Sequence, residues 1–477
     1  MGADGVADAV SKVADPVVTG SFKVNGHDVV TAYDFMAEAI KEYTPEKAAE
    51  LCNIPVDQIE QVAKLYATDT PSTIYAYFGV DHYVNGIYGY RCFAMLAALT
   101  GNLGKPGAYV GMNESMPTNV INFAVNSVEG GVPSPINIPF LRLPEILAEG
   151  SFRGTDLKLK SLYMLNGNLI GNGIERKATL DAFSKIEFIV VADMSMTESA
   201  QMADIVLPVA HWFEDNDVFC AYSTHPYILL QEKAVEKPYE CKSDYEIYGL
   251  LSAGMGYPDA FKMTEEEYMK AWMDCDGARA VGLTWDALQE KKAIRFTPTE
   301  NHVYAEGGAF GTATGRANFF NENPAVAVDF GQPWNPDHER TAFWEPPHEA
   351  WHEKDLHEKY PFVMLQVHPK WRTHSQWFDV PVLNEVSGDP TMHINSVDAD
   401  AKGIKEGDTV KIFNDRGYVV MKTNINNGVQ PGTITVPKGW EKGQFIEGHY
   451  QDLTSRVMHP MINNSGFFDV LVDVEKV

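Results

Sequence analysis

Three short apolar runs between residues 162 and 208, each closed by polar residues and separated by helical stretches, restrict this chain more than any other feature. Leu162 to Leu165 ends in Asn166-Gly167-Asn168, and a helix containing Ala178 to Phe183 follows. Ile186 to Ala192 ends in Asp193 and Met194, and a short helix around Thr197 to Met202 leads into the third run, Ala203 to Pro208. Continuous apolar runs suit strands buried on both faces, and parallel strands need crossovers of this kind. The alternation predicts an α/β fold with a parallel sheet, and any ligand site at the carboxyl ends of its strands.

Upstream the spacing is helical. Ala32, Phe35, Met36, Ala39 and Ile40 recur at three-to-four intervals, and Thr44-Pro45-Glu46 reads as an N-cap with Pro at the first helical position. Pro55 to Tyr66 predicts a third helix, with Ile59, Val62, Ala63 and Tyr66 on one face. Ser72 to Val80 reads as a buried strand, Tyr90 to Thr100 as a helix stopped by Gly101 to Gly104, and 105 to 155 as a long irregular excursion. From about Tyr360 the period changes to short strands at Phe362 to Val367, Thr409 to Phe413, Val419 to Thr423 and Thr433 to Val436, which predict a compact barrel-like β domain.

With 477 residues and 45% apolar composition the chain has material for two or more cores. Its 65 acidic residues outnumber 38 Lys plus Arg, a net charge of -27 that disfavours nucleic acid and anionic membrane surfaces as partners. Apolar runs of transmembrane length are absent, and Met1 to Val10 lacks the pattern of a secretory signal. Five cysteines, none in a CxxC pair, suit a reducing compartment. A cytoplasmic location is expected, or export within a complex if a preceding segment carries the signal.

Several polar groups sit where chemistry is expected, each with a plainer alternative. Asn166, Gly167 and Asn168 offer amides and helix N-terminal N–H groups to a phosphate, or form an ordinary turn. Asp193 suits a ribose hydroxyl or guanine N–H groups, or an N-cap. Asp204, set in apolar sequence, needs a buried partner or a backbone N–H, while Glu214 orients a loop or makes a surface ion pair. His368, Arg372, Thr373, His374, Ser375 and Gln376 are the densest group of donors, fit for a phosphate or a pterin edge, or a solvated turn. No third ligand accompanies His368 and His374, so a metal site is not expected there. His82 and Tyr83 follow the 72–80 run and suit proton transfer, or simply pack at a turn. Asn463 and Asn464, together with Gln451, are weaker ligand candidates near the chain end.

The order of these pieces resembles a known family. Tyr163 to Asn168, Val190 to Asp193, Thr197 to Pro208 and Glu214 resemble the cofactor-binding region of the dimethyl sulfoxide reductase superfamily of molybdopterin oxidoreductases. NSVDADAKGIKEGDTVKIFNDRG, Asn395 to Gly417, resembles that family's C-terminal molybdopterin-dinucleotide-binding barrel, and Val429 to Gly432 with Gly439-Trp440 continue it. Ser243 to Tyr248, Thr312 to Arg316, His368-Pro369 and Val397 to Gly403 are similar to the pyrogallol-phloroglucinol transhydroxylase and catechol dehydroxylase branch. Asn168-Leu169 departs from the Asn-Pro common in the family.

The resemblance implies the C-terminal half of a large subunit that carries molybdenum bis(molybdopterin guanine dinucleotide). It implies a helical remnant of an incomplete α/β domain over 1–70, an α/β region over 71–355 and a double-psi β-barrel over 360–477. Asn166, Gly167, Asn168 and Asp193 would line one dinucleotide limb, Arg372, His374, Ser375 and Gln376 would approach from the barrel, and Asn464 would join them near the chain end. His82 and Tyr83 would face substrate. The complementary N-terminal half, an iron–sulfur cluster on that half or on an electron-transfer partner, and a small aromatic substrate complete the expectation. The implied reaction is anaerobic removal or transfer of an aromatic hydroxyl. The alternatives are an oxyanion or S-oxide reductase, a formate dehydrogenase, or a non-catalytic cofactor-binding subunit.

Overall fold

The computed structural model describes residues 17–111, 117–126, 136–220, 225–297, 303, 305–308, 310–312, 314–326, 333–462 and 464–477. The chain packs into two compact units, one from Met1–Asn113, Thr299–His348 and Met458–Asn464, the other from Glu114–Pro298, Glu349–Val457 and Ser465–Val477.

The first unit opens on an antiparallel hairpin, Ser21–Val24 with His27–Val30. Its two-residue turn places Asn25 and Gly26 at φ 51° and 83°, the doubly left-handed geometry that Asn-Gly adopts most readily. Helices Ala32–Ala39 and Pro45–Cys52 follow, started by Thr31 and Thr44, whose side chains accept from Asp34 N and Lys47 N. Helix Val56–Thr68 forms as the spacing predicts, yet none of its residues is buried, and Val62 is 65% exposed. The buried strand expected over 72–80 is corrected to Thr73–Tyr75, paired in parallel with Tyr109–Gly111. Tyr75, Tyr77 and Phe78 are exposed, because the chain leaves the strand and turns through Val80–His82. Within helix Gly86–Leu99, buried Tyr88 donates to Glu339 (2.9 Å) and contacts His459 (2.9 Å), while Arg91 pairs with the other Glu339 oxygen (2.8 Å). This network ties the three sequence segments of the unit together.

In the second unit Ser161–Leu165, Phe188–Asp193 and Ile205–Pro208 form the expected parallel sheet in that order. Met164, Ile170, Phe183, Ile189 and Val191 build its core with helix Arg176–Phe183. Asp204 finds its backbone partner, accepting from Ile189 N at 2.7 Å. The irregular stretch expected over 105–155 contains a seven-residue helix, Leu143–Glu149, that buries Leu143 and Ile146; two turns are too short to register as a periodic pattern. Asp217–Phe219, Tyr227–Gln231 and Ala293–Arg295 make a separate antiparallel sheet around Ile228, Leu283 and Leu288.

The C-terminal sheet closes on itself. Thr391–Ile394, Thr433–Pro437, Phe362–Val367, Leu471–Lys476, Thr409–Phe413 and Tyr418–Ile425 are neighbours in that order, and the last pairs back with the first. Two pairings are parallel, 362–367 with 433–437 and 391–394 with 418–425, and the rest of the ring is antiparallel. Met364, Met392, Ile394, Ile412, Val436 and Val472 fill the barrel. Strands 391–394 and 471–476 were not among those expected from sequence, and without them the ring has no closure.

Candidate functional site

The carboxyl ends of the three parallel strands open into a cleft of 1820 Å³. Asn166, Gly167 and Asn168 follow the first strand, Asp193 and Ser195 the second, and Val209 and Ala210 the third. His374, Ser375, Gln376 and Trp377 line the same cleft from the segment after the first barrel strand. Asn172 Nδ2 reaches Ser375 Oγ at 3.3 Å, joining the two sides directly. Asn166, Tyr239, His374 and Trp377 have φ of 52°, 52°, 52° and 70°, so four non-glycine residues in the sparsely allowed left-handed region share one cleft.

The individual groups differ in what they have left to offer a ligand. Asn168 caps helix Leu169–Asn172, and its side chain is occupied within the protein: Oδ1 accepts from Gly171 N (3.2 Å) and Ser199 Oγ (2.8 Å), and Nδ2 donates to Glu441 Oε1 (2.5 Å). Asp193 accepts from Ser195 N (3.2 Å) and Thr197 Oγ1 (3.3 Å), whereas the cap of the next helix is Thr197 itself. Burial raises the Asp193 pKa, opposed by those hydrogen bonds. Burial also lowers the pKa of His374, with Lys438 adding to the effect, so a neutral imidazole faces the cleft at neutral pH. Glu214 closes a capping box with His211, accepting from its N–H at 2.8 Å, which is the loop-orienting alternative.

Arg372 lies outside the cleft lining. Its guanidinium sits 3.6 Å from the centre of the Trp440 ring, Nη1 donates to Gln444 (3.0 Å) and Nη2 to Asn384. It is 5% exposed, its buried Nε has no hydrogen-bond partner among the described residues, and burial lowers its pKa. His82, Tyr83 and Asn464 belong to the first unit, His82 Nδ1 lying 3.8 Å from Asp81, while Asn463 is outside the described residues. Sequence reasoning missed an aromatic cluster at the cleft, in which Trp212 and Trp377 meet edge to face at 5.2 Å with His211 beside them.

Charge limits what this cleft can hold where. Eight carboxylates line it, those of Asp193, Glu214, Asp215, Asp217, Glu240, Asp244, Glu265 and Asp379, and among the described lining residues there is no Lys or Arg. A phosphate therefore fits only the ledge of neutral donors, Asn166 and Gly167 with Ser375 and Gln376, where side-chain amide, hydroxyl and backbone N–H donors replace cations. The carboxylates suit hydroxyl and ring N–H donors of a nucleoside. A nucleotide tail thus matches the donor set, and no group of three or more metal-ligating side chains occurs among the described residues.

Glu441, which no sequence pattern singles out, is 5% exposed, and burial pushes its pKa up to about 7. The folded state then holds a proton at this site over a range where the unfolded chain, with an ordinary value of 4.5, has lost it. Stability from this group is therefore greatest below pH ~4.5 and falls as pH rises towards ~7, by about 3 kcal/mol in all. Glu441→Gln is expected to remove this part of the slope, read from the difference in unfolding midpoint between the two proteins from pH ~4.5 to ~7.5.

Residues 32–253 match the molybdopterin oxidoreductase family, and residues 362–470 match the molydopterin dinucleotide binding domain. A protein of Halobacterium salinarum that bears the name of a dimethyl sulfoxide reductase catalytic chain is 31% identical over 96% of this chain and 53% of its own length. The dimethyl sulfoxide/trimethylamine N-oxide reductase of Cereibacter sphaeroides is 29% identical over 87% of this chain and 54% of its own. The chain thus spans about half the length of the curated relatives it matches. Acetylene hydratase from Pelobacter acetylenicus shares the fold, with a TM-score of 0.74 at 17% identity over 94% of this chain and 66% of that one. Through both matched regions, the chain belongs to the molybdopterin oxidoreductase (dimethyl sulfoxide reductase) superfamily.

Proposed function

We propose that this chain supplies one dinucleotide-binding half of a molybdenum bis(molybdopterin guanine dinucleotide) oxidoreductase. The observation that carries the reading is the single cleft shared by the strand ends at Asn166 to Asn168 and Asp193 and the barrel-side segment His374 to Gln376. In this reading Asn166, Gly167, Ser375 and Gln376 hold the phosphates and Asp193 accepts from the nucleoside, while Asn168 and Arg372 support the walls. The double-psi form of the barrel is part of the same reading, supported by the two parallel pairings in a six-stranded ring. When bound, the molybdenum centre supplies two-electron exchange with substrate; this chain's residues bind, orient and exclude water.

For the whole enzyme we favour reduction of a small S-oxide, N-oxide or oxyanion over the aromatic hydroxyl chemistry of the transhydroxylase branch, because the relatives matched over most of this chain carry S-oxide and N-oxide reductase names. Such a reaction takes up two electrons and two protons and releases water, so it needs an external electron donor, which we place on an iron–sulfur partner or on the complementary half. That half would cover the exposed apolar side chains of the first unit, among them Val62, Leu65, Leu96 and Leu99. Calorimetric titration of the full chain with GDP and ADP tests the nucleotide reading. Saturable GDP binding at least about tenfold tighter than ADP is expected from carboxylates reading guanine N–H groups; equal affinity, or no binding of either, overturns it.

A further inference from the structure

Glu441 lies outside the cleft lining, yet its carboxylate touches the segments that follow the first two parallel strands, at Asn168 and at Glu198. Oε1 accepts from Asn168 Nδ2 at 2.5 Å, and Oε2 accepts from Glu198 N at 2.8 Å. Glu198 returns the contact, its Oε1 accepting from Lys442 N at 2.8 Å. Each side therefore presents a carboxylate to the other's backbone, and the pair is closed by Arg176, which donates to Glu198 Oε2 at 2.9 Å. Asn168, Glu198, Ser199 and Glu441 are all less than 9% exposed, so water does not compete for these bonds.

The local sequence is built around this arrangement. A Cβ on Gly171 would lie 2.5 Å from Asn168 Nδ2 and 2.9 Å from Glu441 Oε1, so the helix start approaches this closely only because residue 171 has no side chain. Asn168 uses its other end on Gly171 N and Ser199 Oγ, and Ser199 Oγ in turn accepts from Ile170 N at 3.0 Å. One carboxylate on the barrel thus fixes the starts of two short helices. Those starts follow directly on Asn166 to Asn168 and on the cleft-lining Thr197, so holding them holds that wall of the cleft.

We propose that Glu441 is a positioning residue, a latch through which the barrel sets the geometry of the Asn166 to Asn168 ledge and the 198–201 helix start. The proposal rests on the nucleotide reading for its functional consequence but not for its structural one. A conventional surface or packing glutamate would, on removal, change stability throughout the unit. A latch changes the ledge first.

Hydrogen exchange on the full chain, comparing the unchanged protein with Glu441→Ala, Glu441→Gln and Gly171→Ala, separates these outcomes. In Glu441→Ala, amides at 168–172 and 197–201 are expected to exchange at least about tenfold faster, with those of barrel strands 362–367 and 409–413 changed less than about twofold. Glu441→Gln, which keeps one acceptor, falls between, and Gly171→Ala reproduces the ledge effect while leaving the carboxylate in place. Uniform acceleration across the unit, or an unchanged ledge in Glu441→Ala, overturns the latch. If Glu441→Ala does not fold, the same comparison is decided on the other two variants. GDP affinity measured in parallel is expected to fall about tenfold in Glu441→Ala and to recover partly in Glu441→Gln. GDP affinity equal in all four proteins with a loosened ledge overturns the functional consequence, whereas absence of GDP binding in the unchanged chain overturns the nucleotide reading and leaves the exchange result to decide the latch.

Discussion

Arg176→Met is expected to lower the stability of the second unit by about 3–5 kcal/mol, the usual cost of leaving a buried carboxylate without its counter-charge. Arg176 is 6% exposed and donates through Nε and Nη2 to the same Glu198 oxygen, each at 2.9 Å, with Nη1 3.8 Å from Asp452. Methionine fills much of the stem's volume, so the loss measures charge and hydrogen bonding more than packing. Burial already raises the Asp452 pKa and the Arg176 charge opposes that rise. Removing the charge raises it further, so the folded variant binds protons that the unfolded chain does not. The deficit is therefore largest near neutral pH and shrinks as pH falls. Glu198→Gln added to Arg176→Met is expected to return about 1–2 kcal/mol by removing the orphaned charge. Calorimetry reads the single variant as a fall of roughly 5–8 °C in the midpoint of this unit. A fall of less than about 2 °C, or no recovery in the double variant, means that the ion pair contributes nothing net.

Much of the second unit was legible in sequence because its signals are local. The 161–165, 188–193 and 205–208 strands are unbroken apolar runs ended by polar residues, and in the first unit the Asn-Gly and Thr-Pro pairs at 25–26 and 44–45 likewise mark a turn and a helix start through short-range sterics. The barrel was harder. Strand 391–394 buries Met392 and Ile394 but carries Thr391 and His393 on the other face, and it pairs with 418–425 and 433–437, far away in sequence. Four alternating residues do not announce such a partner. In the first unit the failure ran the other way: Ser72 to Val80 has the composition of a core strand, but exposed Tyr75, Tyr77 and Phe78 show that aromatic content alone does not specify burial.

The site divides along the same line. Residues at the ends of apolar strands could be selected because chain connectivity places them together, and Asn166, Asp193 and His374 to Gln376 do line one cleft. What each side chain does depends on neighbours from distant sequence. Arg372 looks like a ligand-binding cation until Trp440, Gln444 and Asn384 surround it. Asn168 looks like a free amide until Glu441, 273 residues away, takes its donor. A sequence ranks polar residues by position, whereas their availability is set by pairwise contacts that only the fold creates.

Gly439→Ala is expected to be the most damaging single methyl addition near the site, costing about 3 kcal/mol or more and weakening nucleotide binding with it. Gly439 has φ 79°, and a Cβ there would lie 1.9 Å from the carbonyl oxygen of His374 and 2.4 Å from its carbonyl carbon. Neither contact is with a flexible side-chain end, so relief requires moving the backbone of one segment. On one side, Gly439 N donates to the buried Tyr450 hydroxyl at 3.0 Å, which resists displacement. The other side is the His374 to Trp377 segment, already left-handed at two residues, and it yields more readily towards the cleft. Gly403→Ala provides the control: it has φ 66° but nothing within 4 Å of a new Cβ, so it registers the left-handed backbone cost of about 1–2 kcal/mol alone. The difference between the two variants isolates the close approach. Unfolding midpoints and GDP affinity measured on both should show Gly403→Ala with unchanged affinity and Gly439→Ala impaired in both. Equal stability losses would mean that the barrel loop and the His374 segment slide past one another freely, and the cleft would then have no fixed wall on that side.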